Sequence, residues 1–418
     1  MSDASLHPPR PTVFYGWVVV FAAFLVMLTG FGAAYTFPAF FDPLSESFGA
    51  TRGTVSLVFS LAGFLYFLLG AVSGPLADRL GPRPVVGFGL ACVGLGLIAA
   101  SFADSLAAIV VFYGIGIGLG VGFSYVPAIG TVQRWFLAKR GQASGWAVAG
   151  IGIGTMAGPP VAAWAIEHLG WRGAYVAFGI AALVLGAVAT FLLRGSPDSM
   201  GLQPDGVPVP DHKGPRGGTA RPEEVPGLAL GAVLRHPAFW RLYGGAALAC
   251  LGTFVPFVHL APFAQDQGLS HLEGVWLVGL IGVGSTLGRF VLGGLADRLG
   301  RGRALGLIVL LTGLTLLYWL VAVGFWALAV FALAFGLFYG GFVALVPAFT
   351  TDLFGLRAAS AVIGVLYTSV AFGTLLGPTL AGWAFDTTGS YIWPIVICAI
   401  GCMLAAGIIV RLPHRIYS

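Results

Sequence analysis

Twelve apolar segments run along this chain, each long enough to cross about 30 Å of hydrocarbon at about 1.5 Å of helical rise per residue. They cover approximately 14–41, 55–77, 84–102, 106–133, 141–166, 172–194, 239–265, 273–296, 303–322, 325–350, 358–384 and 390–411. Inside lipid a backbone must satisfy its own polar groups, so such a chain folds as an all-α membrane protein. The charge balance agrees. Only 9% of the 418 residues are charged, against about 25% in soluble domains. Sixteen acids and 21 bases cannot cover a soluble globule of this size. This excludes an ordinary soluble enzyme, a disordered chain and a nucleic-acid binder, despite a net charge of +5. The 64 glycines suit closely approaching helices in lipid. Cys92, Cys250, Cys398 and Cys402 lie in apolar stretches without metal-ligand spacing, so neither metal nor cofactor is expected. The first segment is too long for a signal peptide, only Arg10 precedes it, and no small-residue cleavage pattern follows.

The bases set the expected orientation. Arg79 and Arg83 follow span two, Arg134, Lys139 and Arg140 follow span four, Arg298, Arg301 and Arg303 follow span eight, and Arg357 follows span ten. The opposite side holds Arg52 and Arg172 beside Asp42, Glu46, Asp104, Glu167, Asp266, Glu273 and Asp386. The positive-inside rule places both termini in the cytoplasm. Residues 195–238 are rich in proline, glycine and charge, which reads as a flexible cytoplasmic linker. The expected organisation is a cytoplasmic N-terminus at 1–13, six-helix bundles at 14–194 and 239–411 flanking that linker, and a cytoplasmic C-terminus at 412–418.

The two bundles repeat one another at a separation of about 219 residues. Gly74-Pro75-Leu76-Ala77-Asp78-Arg79-Leu80-Gly81 returns as Gly293-Gly294-Leu295-Ala296-Asp297-Arg298-Leu299-Gly300. Val126-Pro127-Ala128 returns as Val346-Pro347-Ala348, and Gly158-Pro159 with Trp164 as Gly377-Pro378 with Trp383. Two halves of the same topology, related by an axis along the membrane normal, rock about a site at their interface.

The repeated G-x-L-A-D-R-x-G-x-R segment resembles the signature loop of the major facilitator superfamily. Tyr15-Gly16-Trp17 and Trp135-Phe136-Leu137-Ala138-Lys139-Arg140-Gly141 resemble signatures of its monocarboxylate porter family in bacterial form. The resemblance covers nearly the whole chain apart from the linker. It implies twelve transmembrane helices in two pseudo-symmetric six-helix bundles, in a bacterial inner membrane. The charged hairpins are expected to latch one conformation through Asp78, Arg79, Arg83, Asp297, Arg298 and Arg301, each acid accepting bonds from a neighbouring helix N-terminus. The plainer reading of these charges is a topology anchor.

Arg289 is the one base deep inside a span, eight residues before Asp297 and so about 12 Å inside the membrane. No acid lies at similar depth. A guanidinium keeps its proton, and burying it unpaired costs about 2.5–3.5 kcal/mol even on the lenient insertion scale. It should therefore face a water-filled cavity and grip a carboxylate in bidentate fashion. The plainer reading is a structural arginine bonded to backbone carbonyls. The resemblance agrees with a site, because family members carry a substrate-binding arginine in this span. Porters of oxalate and formate carry a second base in span eleven, where this chain has none between Ala359 and Ala384. One fixed charge suits one carboxylate.

The chain also departs from the family's animal members, which carry a lysine where Ala39 follows Pro38 and an acid where Ser285 stands. Those two groups are thought to serve proton coupling. The titratable groups left for it are His259, in a proline-flanked part of span seven, and outer acids such as Asp266. His259 reads equally as an imidazole bonded to a freed carbonyl. Tyr125, Tyr339, Tyr35 and Tyr367 could supply hydroxyl contacts to the anion, or serve only as interhelical bonds; Ile151 could supply an apolar wall.

The expected function is secondary active transport of small monocarboxylates such as lactate or pyruvate, with a proton, by a monomer in the lipid bilayer. An anion exchanger of the oxalate and formate type and a passive anion channel are the alternatives. No nucleophile, paired acids or nucleotide-binding loop supports an enzyme or ATP drive.

Overall fold

A computed structural model describes residues 14–136, 139–206, 227–355, 357–413 and 415–417. The expected terminal segment 1–13, residues 207–226 of the linker and the Asp297 side chain lie outside the described residues. The rest of the expected flexible linker is partly structured, with short helical turns at Pro197–Met200 and Pro204–Gly206 and a helix at Leu230–Arg235 leading into span seven. Among the described residues, eleven helical stretches are long and apolar enough to cross a membrane. One of them, Arg140–Leu192, would be about 80 Å long if straight, far beyond a bilayer. It is two spans. Gly170, at φ +68°, reverses the chain between spans five and six, a conformation that side chains rarely adopt.

The twelve spans form two bundles of six. In the first, span one is Gly16–Tyr35 continued by Phe37–Phe48, span two Arg52–Leu80 and span three Pro82–Ser101. Span four runs from Leu106 through a π-helical turn at Val110–Ile115 to Trp135. In the second bundle, span seven is Pro237–Thr253 continued by Val255–Asp266 and span eight is His271–Leu299. Spans nine to twelve are Arg301–Val321, Gly324–Phe354, Ala359–Thr388 and Ile392–Val410. Large apolar side chains such as Trp164, Trp326 and Trp393 point outward, as helices surrounded by lipid require.

The signature segments are not loops. Asp78 and Arg79 lie in the last turns of span two, and Arg298 in the last turn of span eight. The whole turn is one glycine, Gly81 at φ +86° or Gly300 at φ +85°. Positive φ reverses the chain in a single residue, and Pro82 then starts span three in helical geometry.

Spans one and seven both break mid-membrane, at Thr36 and Phe254, equivalent points of the repeat. Pro38 and Pro256 follow the breaks and lack the N–H groups that would continue the ladder. The carbonyls freed in span one are claimed by Tyr113, whose hydroxyl lies 3.0 Å from Ala34 O and 3.3 Å from Ala33 O.

The halves meet where span two packs on span eleven and span five on span eight. Within the second half, spans eight and ten touch backbone to backbone. A Cβ added at Gly288 would run into the Leu337 carbonyl, and one at Gly340 into the Ser285 carbonyl. Both described ends of the chain lie on one face, called here the terminal face. There Phe14 packs on Phe136, and Ile416 N–H donates to Leu353 O at 3.0 Å.

Candidate functional site

The break in span one falls directly after Tyr35, and the break in span seven falls at Phe254. Between them sits a cavity of about 50 Å³, room for a few waters or a small anion. Arg289, Tyr125, Tyr339, Tyr367 and Ile151 all line it. Phe31, Phe67, Phe254 and Phe342 complete the wall together with Thr253, Val343, Val346 and Val370. Tyr35 does not line it but caps it: its hydroxyl lies 3.1 Å from the Tyr339 hydroxyl, and its ring packs on Phe257 at 4.8 Å. The six residues expected at a site thus converge from spans one, four, five, eight, ten and eleven.

Among the described residues, Arg289 makes one hydrogen bond. Its Nη1 donates to the Val148 carbonyl of span five at 3.2 Å. Its Nε is buried and has no hydrogen-bond partner among the described residues. A carbonyl contact was the alternative to ligand binding, and it accounts for only one edge of the guanidinium. An orphaned charged donor facing an aromatic-walled cavity is costly, and an anion would relieve it. Tyr66 was not legible as part of this region. Its ring lies 5.8 Å from Phe31 and its buried hydroxyl has no partner among the described residues, but nothing in its sequence neighbourhood marks it.

Arg289, Tyr125 and Val343 also border a larger vestibule of about 400 Å³, which reaches Gly141 and Ser144 at the start of span five. The vestibule thus adjoins the Arg289 side of the cavity and extends toward the terminal face.

The opposite face is sealed by bonds between the halves. Arg52, at the start of span two, reaches both Asp266 oxygens at 2.7 Å, donates to the Tyr391 hydroxyl at 2.9 Å, and stacks 4.0 Å from the Phe385 ring. Asp386 caps span two from the other half, accepting from the Arg52 and Gly53 N–H groups at 3.0 and 2.9 Å. Asp42 accepts from Gln265 at 2.6 Å and lies 3.2 Å from His271. His259 is buried beneath this layer. Its Nε2 lies 2.8 Å from the Pro378 carbonyl and 3.2 Å from Ser56 Oγ, and its Nδ1 lies 3.0 Å from the Tyr391 hydroxyl. A carbonyl only accepts, so Nε2 carries the proton and the neutral ring accepts from Tyr391 at Nδ1. His259 does bond a backbone carbonyl, but it is that of Pro378 in the unbroken span eleven and not one freed by the prolines of its own span, while its link through Tyr391 to Arg52 joins it to the seal.

The charges expected to act as a latch are held differently from expectation. Asp78 accepts from Arg134 of span four, not from a helix N-terminus, because span two runs past it and turns it toward span four. Arg83 donates to the Thr190 and Phe191 carbonyls at the end of span six. Arg301 pairs with Asp352 at 2.9 Å. These three pairings stay within one half. Arg79 and Arg298 are exposed at the terminal face.

Comparison with known proteins agrees with this architecture. Residues 21–309 and 276–416 match the Major Facilitator Superfamily. Monocarboxylate transporter 13 of Bos taurus is 29% identical over 402 residues, covering 96% of this chain and 90% of its own. Monocarboxylate transporter 11 of Homo sapiens is 31% identical, covering 97% of this chain and 84% of its own. Among solved structures, a bacterial homologue of the human lysosomal transporter Spinster superposes with a TM-score of 0.71 at 17% identity, covering 96% of this chain and 97% of that one. The twelve-span fold, its internal repeat and these relatives make the chain a multi-pass membrane transporter, not an enzyme, and it belongs to the monocarboxylate porter family of the Major Facilitator Superfamily.

Proposed function

We propose that this chain is a secondary active transporter of small monocarboxylates of the lactate and pyruvate type, coupled to protons and working by alternating access. The observation that carries the reading is the buried Arg289 Nε without a partner, facing a cavity of aromatic walls. The carboxylate binds the free edge of the guanidinium. The Tyr125, Tyr339 and Tyr367 hydroxyls bond its oxygens or a 2-hydroxyl, and Ile151 with the phenylalanines packs the short alkyl part. Span eleven offers the cavity Tyr367 and Val370 but no base, which favours one carboxylate over two.

In this reading the protein sits in a bacterial inner membrane as a monomer, with the terminal face cytoplasmic. The Arg52 layer then closes the outer side, and the vestibule opens inward. His259 or Asp266 carries the proton, joined through Tyr391 and Arg52. A proton on His259 Nδ1 forces the Tyr391 hydroxyl to turn away and adds positive charge beside Arg52, so protonation and opening of the outer seal are linked. Asp78 and Arg301 change partners when the inner side closes.

Binding by Arg289→Lys tests the site. Lysine keeps the charge and loses the planar fork, so lactate should bind at least about thirtyfold more weakly. Circular dichroism and elution profile should match the parent. Binding within twofold of the parent would sink the assignment. Counterflow separates the mechanisms: external unlabelled lactate should accelerate efflux, whereas a pore would be indifferent. Uptake driven equally well with no pH gradient would favour exchange over symport.

A further inference from the structure

The surface turned toward lipid carries two grooves that the transport path does not use. One lies between spans three and six, about 690 Å³, and ends at Arg83. The other lies between spans nine and twelve, about 630 Å³, and ends at Arg303 and Arg411. They occupy the same place in the repeat: Gly87 corresponds to Gly306, and Phe191 to Val410. Both walls are almost wholly apolar, and both grooves finish on guanidinium at the terminal face.

The guanidiniums differ in what they do. Arg83 spends two of its nitrogens on the Thr190 and Phe191 carbonyls. Arg303 and Arg411 are exposed and make no hydrogen bond or ion pair with any described residue. No acid lines their groove among the described residues. The chain beyond Arg411 is engaged elsewhere, with Ile416 bonded to Leu353 of span ten. The groove is open because of what it lacks: a Cβ at Gly407 would meet nothing within 4 Å. Two unpaired positive charges at the water boundary, above a hydrocarbon-lined slot, complement a negative headgroup on an acyl chain.

We propose that the groove between spans nine and twelve binds an anionic phospholipid. One acyl chain lies along Gly306, Leu310, Met403 and Gly407, and the phosphate sits on Arg303 and Arg411.

The test is native mass spectrometry of delipidated protein titrated with phosphatidylglycerol or phosphatidylcholine. The parent should retain a phosphatidylglycerol that phosphatidylcholine does not replace. The double substitution Arg303→Gln with Arg411→Gln should weaken that binding about thirtyfold. Gly407→Leu fills the slot and leaves both charges, so it should also lose the lipid. Neither variant touches the central cavity, and both should keep the parent's lactate binding, which confirms folding. Glycerol phosphate should not displace the lipid. Equal retention by parent and double variant, equal binding of phosphatidylcholine, unchanged binding by Gly407→Leu, or displacement by glycerol phosphate would each overturn the proposal.

Discussion

Arg52 at the start of span two grips Asp266 at the end of span seven through two parallel bonds of 2.7 Å. The pair joins residues 214 positions apart and belongs to both halves at once. Its side chains are 21% and 39% exposed, so water screens it, and its value is about 1 kcal/mol. Removing it by Arg52→Gln or Asp266→Asn should shift the molecule toward opening at this face by about fivefold. The readout is maleimide labelling of Phe41→Cys, a position buried beside His259, in a cysteine-free background. Exchanging the two charges, Arg52→Asp with Asp266→Arg, should bring labelling back toward the parent. No change in labelling rate in either single variant would show that the pair does not hold the face closed.

His259→Gln separates titration from structure. A glutamine amide can donate to the Pro378 carbonyl and accept from Tyr391, keeping the bonds of the neutral ring. It cannot take up a proton. Parent uptake should rise as the outside becomes more acidic, because moving one carboxylate inward against a negative-inside potential costs about 2.3 kcal/mol per 100 mV and a proton cancels that charge. His259→Gln should flatten this response at fixed internal pH. If His259→Gln and Asp266→Asn both keep the parent's profile, neither group carries the proton.

The proposed specificity for one negative charge rests on Arg289 as the fixed positive charge among the described residues lining the cavity. Tyr367 lines it from span eleven. Tyr367→Lys should raise the preference for oxalate over lactate by about tenfold or more, the worth of a hydrogen bond to a charged group. Competition against labelled lactate measures it. Oxalate outcompeting lactate in the parent would undo the one-charge reasoning.

Helix contact should decide stability at Gly288. A methyl there meets the Leu337 backbone, which cannot swing aside as a side chain could. Gly288→Ala should cost about 1–3 kcal/mol and lower Tm measurably in detergent. Gly407→Ala, where a Cβ meets open space, should leave Tm unchanged and serves as the control.

The spans were legible because lipid demands long apolar helices, and the repeat because both halves keep the same words at the same spacing. Arg289 stood out because a lone guanidinium at depth has no cheap explanation, and the family resemblance pointed to the same span. The seal was not. Arg52, Asp266 and Asp386 look like ordinary outer charges until folding brings spans two, seven and eleven together. Asp78 was assigned the wrong partner because its segment reads as a loop, and only the single-residue turn at Gly81 shows that helix continues through it. The break at Thr36 carries a proline signal in Pro38, but prolines inside spans two, four, ten and eleven interrupt no helix, so the signal was ambiguous. Tyr66 and the phenylalanine walls follow no charge or motif and emerge only from packing.

The cavity draws Tyr125 and Ile151 from the first half, with Tyr35 as its cap, and Arg289, Tyr339 and Tyr367 from the second. Neither half owns a complete set of contacts. If the cavity binds an anion as proposed, its affinity is a readout of how the two bodies are aligned, and it falls when either turns away. In that reading, the motion that uncovers the ligand to water is the same motion that withdraws some of its partners. Unloading thus requires no separate trigger, because exposure and loss of grip are one event.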